Sequence, residues 1–111
     1  MAIKKTHTYE GVTLEPEAPR VGDNVKLTYH GYLAANGADD VYAHMGYGEN
    51  FDNLSDIKMN RCGNEFEVSF TTLKSGEIGI CFRDNWNNWD NNLGMNYKFH
   101  VKRATRRKKE Q

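Results

Sequence analysis

The sequence predicts an all-β chain, an immunoglobulin-like antiparallel β-sandwich of about seven to nine strands. Three observations carry that prediction. Short runs place apolar residues at every second position. Turn signals separate the runs at intervals of about 8–12 residues. No stretch shows apolar residues at the spacing of an amphipathic helix.

Val12–Leu14 reads as a short first strand. Pro16 and Pro19 then break the chain, and Glu15–Gly22 is expected to be a loop. In Val25–Tyr32, the residues Val25, Leu27 and Tyr29 share one face. Asn36-Gly37 suits a turn with positive φ. In Val41–Tyr47, the residues Val41, Ala43 and Met45 alternate with Tyr42, His44 and Gly46. Ile57–Met59 is a shorter strand, and Gly63-Asn64 a second turn. Phe66, Val68 and Phe70 alternate with Glu65, Glu67 and Ser69, and Lys74-Ser75-Gly76 turns the chain again. Ile78, Ile80 and Phe82 alternate with Gly79, Cys81 and Arg83, and Tyr97, Phe99 and Val101 with Lys98, His100 and Lys102.

A chain of 111 residues suits one domain and can bury a core without metal or disulfide staples. The 15 basic and 15 acidic residues cancel, but unevenly. Lys102, Arg103, Arg106, Arg107, Lys108 and Lys109 crowd the C-terminus, so residues 1–101 carry 9 basic and 14 acidic groups. The chain therefore divides into a mildly acidic sandwich, 1–101, and a basic tail, 102–111, with the composition of a disordered end. An acidic body disfavours a nucleic-acid-binding face. The start, Met1-Ala2-Ile3-Lys4-Lys5, is polar and no run approaches a membrane span, so the expected location is cytoplasmic, away from membranes. In that compartment Cys62 and Cys81 are expected to be buried reduced thiols, with a core disulfide as the alternative. The sequon Asn53-Leu54-Ser55 carries no weight without secretion.

One segment departs from the strand pattern. Arg83–Tyr97 holds six Asn, two Asp and both Trp residues of the chain. A sugar ring presents a C–H face on which an indole stacks, and a rim of hydroxyls. Asn offers a donor and an acceptor on one short side chain, and a carboxylate accepts two strong bonds. Trp interleaved with Asn and Asp therefore has the composition of a carbohydrate-contact loop. The plainer reading has equal weight on composition alone: Asn and Asp favour turns because they tolerate left-handed geometry and bond their own backbone. On that reading the Trp residues plug the end of the sandwich.

The run Asn87-Asn88-Trp89-Asp90-Asn91-Asn92, then Gly94, then Asn96-Tyr97-Lys98-Phe99, resembles the C-terminal signature of starch-binding carbohydrate-binding modules of family 25. It is similar also to the related family 53 modules of plant starch synthases. Phe82-Arg83-Asp84 resembles the Phe-x-Asp that precedes it. Upstream, Val41–Gly48, Phe51-Asp52-Asn53 and Ile57-Lys58-Met59 resemble the strand, loop and strand of the same modules, so the likeness spans residues 24–101. It implies non-catalytic binding of α-1,4-linked glucan (starch, glycogen or maltooligosaccharide) by two angled aromatic platforms with a His between them. Trp89 matches the main platform and His44 the His. The second platform in these modules is usually Trp, whereas the matching position here is Phe51, with Tyr47 or Trp86 as alternatives. Asp84, Asn88 and Asn92 are the expected hydroxyl contacts. No cofactor is implied, and a glycogen- or starch-active enzyme is the expected protein partner. A polar Met start and a basic tail favour a stand-alone intracellular protein over an excised module.

Three rivals make different demands. A glycosidase needs two carboxylates across a cleft, and Asp84 and Asp90 lie six apart in one loop. Asp84, Asn88 and Asp90 are oxygen donors of the kind Ca2+ takes, but their spacing does not fit an EF-hand. The basic tail could bind anions or a protein, and such binding would weaken steeply with salt.

Overall fold

A computed structural model describes residues 9–104. The elements run β1 (Val12–Glu15), β2 (Asn24–Tyr29), the helical turn α1 (Tyr32–Ala35), β3 (Val41–Tyr47), β4 (Asp52–Lys58), β5 (Asn60–Cys62), β6 (Glu65–Thr71), β7 (Gly76–Asp84), β8 (Trp89–Asp90) and β9 (Tyr97–Val101). They form two antiparallel sheets. One has the order β1-β2-β6-β5, the other β4-β3-β7 with β8 and β9 both on the far edge of β7. The sandwich predicted from alternation is therefore the architecture observed, with nine strands among the described residues.

The core fills the space between the sheets. Leu14, Val25, Leu27, Tyr29 and Phe66 face inward from the first sheet. Val41, Ala43, Met45, Ile78, Ile80, Phe82 and Val101 meet them from the second. Each set follows the period of two that puts alternate side chains on opposite faces. β7 departs from it, since Gly79 and Cys81 are covered as well as Ile78, Ile80 and Phe82, and so does the end of β3, where Gly46 is covered. The outward side of β7 is roofed by other side chains, a first sign that this face is built up.

Several local expectations are corrected. The strand expected to reach Tyr32 ends at Tyr29. There the Tyr29 hydroxyl accepts the Leu33 N–H at 3.0 Å, and the chain turns into α1 with Leu33 buried. Gly31 permits the crossing, because a Cβ there would lie 2.7 Å from the Tyr29 ring and 2.9 Å from Asp90 Oδ2. β4 is longer than the Ile57–Met59 expected, and β5 was not foreseen, since its three residues are all exposed and show no alternation. Both cysteines are free; Cys81 is buried but Cys62 is exposed on edge strand β5, so neither the pair of buried thiols nor the disulfide is formed. Burial pushes the Cys81 thiol up to about 11, helped by the nearby carboxylates of Asp56 and Asp90. At the C-terminal side the ladder runs past Val101: the Lys102 N–H donates to Pro19 O at 2.7 Å, and Arg20 Nη1 donates to Arg103 O at 3.1 Å. The basic residues Arg106, Arg107, Lys108 and Lys109 lie outside the described residues.

One polar cluster lies inside. Asp90 is 6% exposed and accepts from the Tyr29 hydroxyl at 2.6 Å and the Tyr97 hydroxyl at 2.7 Å. Asp90→Ala would leave the O–H donors of Tyr29 and Tyr97 without their acceptor and is expected to lower stability by about 2–5 kcal/mol. Tyr97→Phe, which removes one of the two charge-assisted bonds, is expected to cost about 1.5–3 kcal/mol. Urea unfolding of both variants checks the order.

Candidate functional site

The strand registers assemble the outward face of the second sheet row by row. Asp56, His44 and Cys81 face one another across β4, β3 and β7. One step along lies the row Lys58, Tyr42, Arg83 and Trp89. One step the other way lies Gly46 beside Gly79. His44 is therefore on the face opposite Val41, Ala43 and Met45, as the alternation predicts.

The glycine row makes a floor for Phe51. A Cβ on Gly46 would sit 2.6 Å from Phe51 Cγ, and one on Gly79 would sit 3.0 Å from Phe51 Cε1. The ring thus rests on bare backbone of two adjacent strands. Phe51 reaches this position from the turn between β3 and β4 with φ of 53°, a left-handed conformation that costs a non-glycine residue about 1–3 kcal/mol. Ring packing against the floor offsets that cost.

His44 stands between two rings. Phe51 lies 6.0 Å from it at an interplanar angle of 33°, and Trp89 lies 5.3 Å away at 87°. Trp89 remains 39% exposed. The imidazole is held by Nδ1, 3.3 Å from Asp56 Oδ1. Asp56 in turn accepts from Arg83 Nη2 at 2.6 Å and Nε at 3.3 Å, and the Arg83 guanidinium lies over the Tyr42 ring at 4.1 Å. The Arg83 hydrogen bonds hold the Asp56 carboxyl below the usual carboxylate range, with His44 adding to the effect. This chain from Tyr42 to His44 orients the imidazole through its Nδ1.

The loop that carries Trp89 is organised by its own polar groups. Asp84 is 5% exposed and accepts from the N–H of Trp86 at 2.9 Å, the N–H of Asn88 at 2.8 Å and the Asn88 amide at 2.9 Å. Burial alone would raise the Asp84 pKa; these hydrogen bonds outweigh it and lower it. Asn92 Nδ2 donates to Asn96 O at 2.9 Å, and Asn91 Oδ1 accepts the Gly94 N–H at 2.9 Å. Asn87, Asn92 and Asn96 take positive φ. Part of the Asn content therefore serves the backbone, the plainer reading that composition allowed. Trp89 is also fastened at its carbonyl, which accepts from the Tyr32 hydroxyl.

The eight candidate residues separate accordingly. His44, Phe51 and Trp89 come together on one open face. Trp86, 76% exposed, lies with Asn88 and Trp89 along a neighbouring groove. Asp84 and Asn92, expected as hydroxyl contacts, are bonded within the loop, and each also lines a groove beside Trp89. Tyr47 is a correction: it is 4% exposed, and its hydroxyl accepts the Leu73 N–H at 3.0 Å. It falls on the odd-numbered, inward side of β3 with Val41, Ala43 and Met45, so its ring faces the core. Asp84 and Asp90, the carboxylates weighed for calcium, bond to different partners, the loop backbone and two buried tyrosines. Tyr42, Asp56 and Arg83 were missed as neighbours of His44, although the alternation of Tyr42 with Ala43 and of Arg83 with Phe82 already put both on its face.

Two predictions follow from the floor and the loop. Gly46→Ala is expected to lift the Phe51 ring and cost about 1–3 kcal/mol in urea unfolding. In a Phe51→Ala background the same change should cost less but not nothing, because the new Cβ would still lie 2.8 Å from the backbone carbonyl carbon of residue 51; a double-mutant cycle reads the share due to the ring. Asp84 stabilises the loop fully above its unfolded value of about 3.9, and that contribution is lost as pH falls through its lower folded value. Trp fluorescence should therefore shift below about pH 4, and Asp84→Asn should show the altered signal at pH 7 without that acid step.

Comparison with known proteins adds one relative. Over 90 residues, 78% of this chain, the sequence is 32% identical to an alpha-amylase of Clostridium acetobutylicum. The chain spans 12% of the length of that protein. No protein-family model matches the chain, and no solved structure matches it.

Proposed function

We propose that this chain is a non-catalytic module that binds α-1,4-linked glucan (starch, glycogen or their maltooligosaccharides) on the outward face of its second sheet. The observation that carries the reading is His44 set between Phe51 and Trp89, with Trp89 at 87° and Phe51 at 33° to the imidazole. An α-1,4 chain curves, and rings at different inclinations follow a curve better than a flat row would. Stacking on the two rings supplies most of the affinity, since each neutral hydrogen bond adds only about 0.5–1.5 kcal/mol. His44 Nε2 and the polar groups around it select hydroxyl positions. Likeness to a short part of an alpha-amylase supports a starch-related role for a segment of this size. The absence of catalysis is part of the same reading. Three hydrogen bonds from its own loop to the Asp84 carboxylate, and the burial of Asp90 between two tyrosines, support that part of the reading.

The test is a calorimetric and fluorescence titration with maltoheptaose, using cellohexaose as control. Saturable binding of maltoheptaose alone is expected, with little dependence on salt. Trp89→Ala should weaken it at least about tenfold, or 1.4 kcal/mol, and His44→Ala measurably less. Absence of binding to both sugars at millimolar concentration would remove the glucan reading.

A further inference from the structure

The groove beside Trp89 shares only that ring with the arrangement around His44. It encloses about 400 Å³ between the 32–39 segment and the 84–89 loop. Tyr32, Trp86 and Trp89 line it with rings, and Asn36, Asp39 and Asn88 supply polar groups. Trp86 is 76% exposed and Tyr32 50% exposed.

An indole left in water on a loop forgoes the burial that most Trp side chains gain. The loop beneath Trp86 is not a loose tip. Asp84 takes the Trp86 N–H itself at 2.9 Å and closes the turn onto Asn88. A ring presented on a fixed backbone loses little conformational freedom when a ligand arrives, which is the arrangement that favours binding. The occupant is indicated by continuity: the Trp89 ring lies 5.3 Å from His44 and also lines this groove. A chain leaving the Trp89 platform enters a trough with aromatic walls and amide and carboxylate groups, the same chemistry it has just left.

We propose that this groove is a further α-glucan subsite, occupied by the glucose units that extend beyond Trp89, so that affinity grows with chain length through Trp86. The inference rests on the glucan reading of the His44 face. It makes Trp86 a length sensor and not a platform of the primary site.

The test compares maltotriose and maltoheptaose by calorimetry on the unmodified protein, Trp86→Ala and Asn36→Ala. The unmodified protein should bind maltoheptaose more tightly than maltotriose by about tenfold or more. Trp86→Ala should reduce that ratio to about threefold or less while maltotriose affinity stays within about twofold, and Asn36→Ala should move the ratio in the same direction by less. A ratio untouched by Trp86→Ala, with both sugars still binding, overturns the subsite and leaves the primary reading standing. Equal weakening of both sugars also overturns it, because Trp86 would then belong to the His44 site. Failure of the unmodified protein to bind either sugar removes both readings together.

Discussion

The Asp90 carboxylate, buried between the hydroxyls of Tyr29 and Tyr97, is the contact on which the outward face depends. A buried charge is tolerated only when its lone pairs are met by donors. Here the donors come from β2 in one sheet and β9 in the other, so one side chain joins both layers to the Trp-bearing loop. Burial, and after it the bond to Asp90, raises the pKa of both phenols and keeps them as donors. Because neighbours along a strand point to opposite sides, fixing Asp90 inward turns Trp89 outward. The platform inherits its position from the core.

Around that anchor the two halves of the outward face are built by different means. Phe51 is placed by subtraction, since two missing side chains let its ring lie against the sheet. Trp89 and Trp86 are placed by addition, through a loop whose carboxylate and amides satisfy its own backbone. His44 is common to both halves, and its orientation is relayed through Asp56, Arg83 and Tyr42. A rigid, exposed set of rings results, with the polar groups of the loop largely committed to holding it.

The sandwich was legible because its strands obey a period of two, and the outward aim of His44 followed from the same rule. Elements without that period were not legible. β5 is exposed along its whole length, and α1 is one turn long, started by Gly31 and a tyrosine hydroxyl that no local pattern reveals. Tyr47 was misjudged although the alternation that placed His44 outward also places Tyr47 inward. The roles of the Asn residues could not be divided from sequence, because the same amide suits a sugar hydroxyl and a left-handed turn equally well. The choice of Phe51 over Trp86 as partner of His44 depends on a positive φ and a glycine floor, both of which need the folded registers to be known.

The pairing of Gly46 with Gly79 has a consequence beyond room for a ring. The two glycines act as a register gauge between β3 and β7. Sliding one strand by a single residue would bring Met45 or Tyr47, or Ile78 or Ile80, onto the outward face where the gap now lies. Phe51 could not then settle on its seat, and the apolar side chains withdrawn from the core would stand in water. The aromatic ring on the surface and the strand alignment underneath it therefore certify each other, so that a molecule able to present Phe51 beside His44 has already found the correct pairing of its central strands.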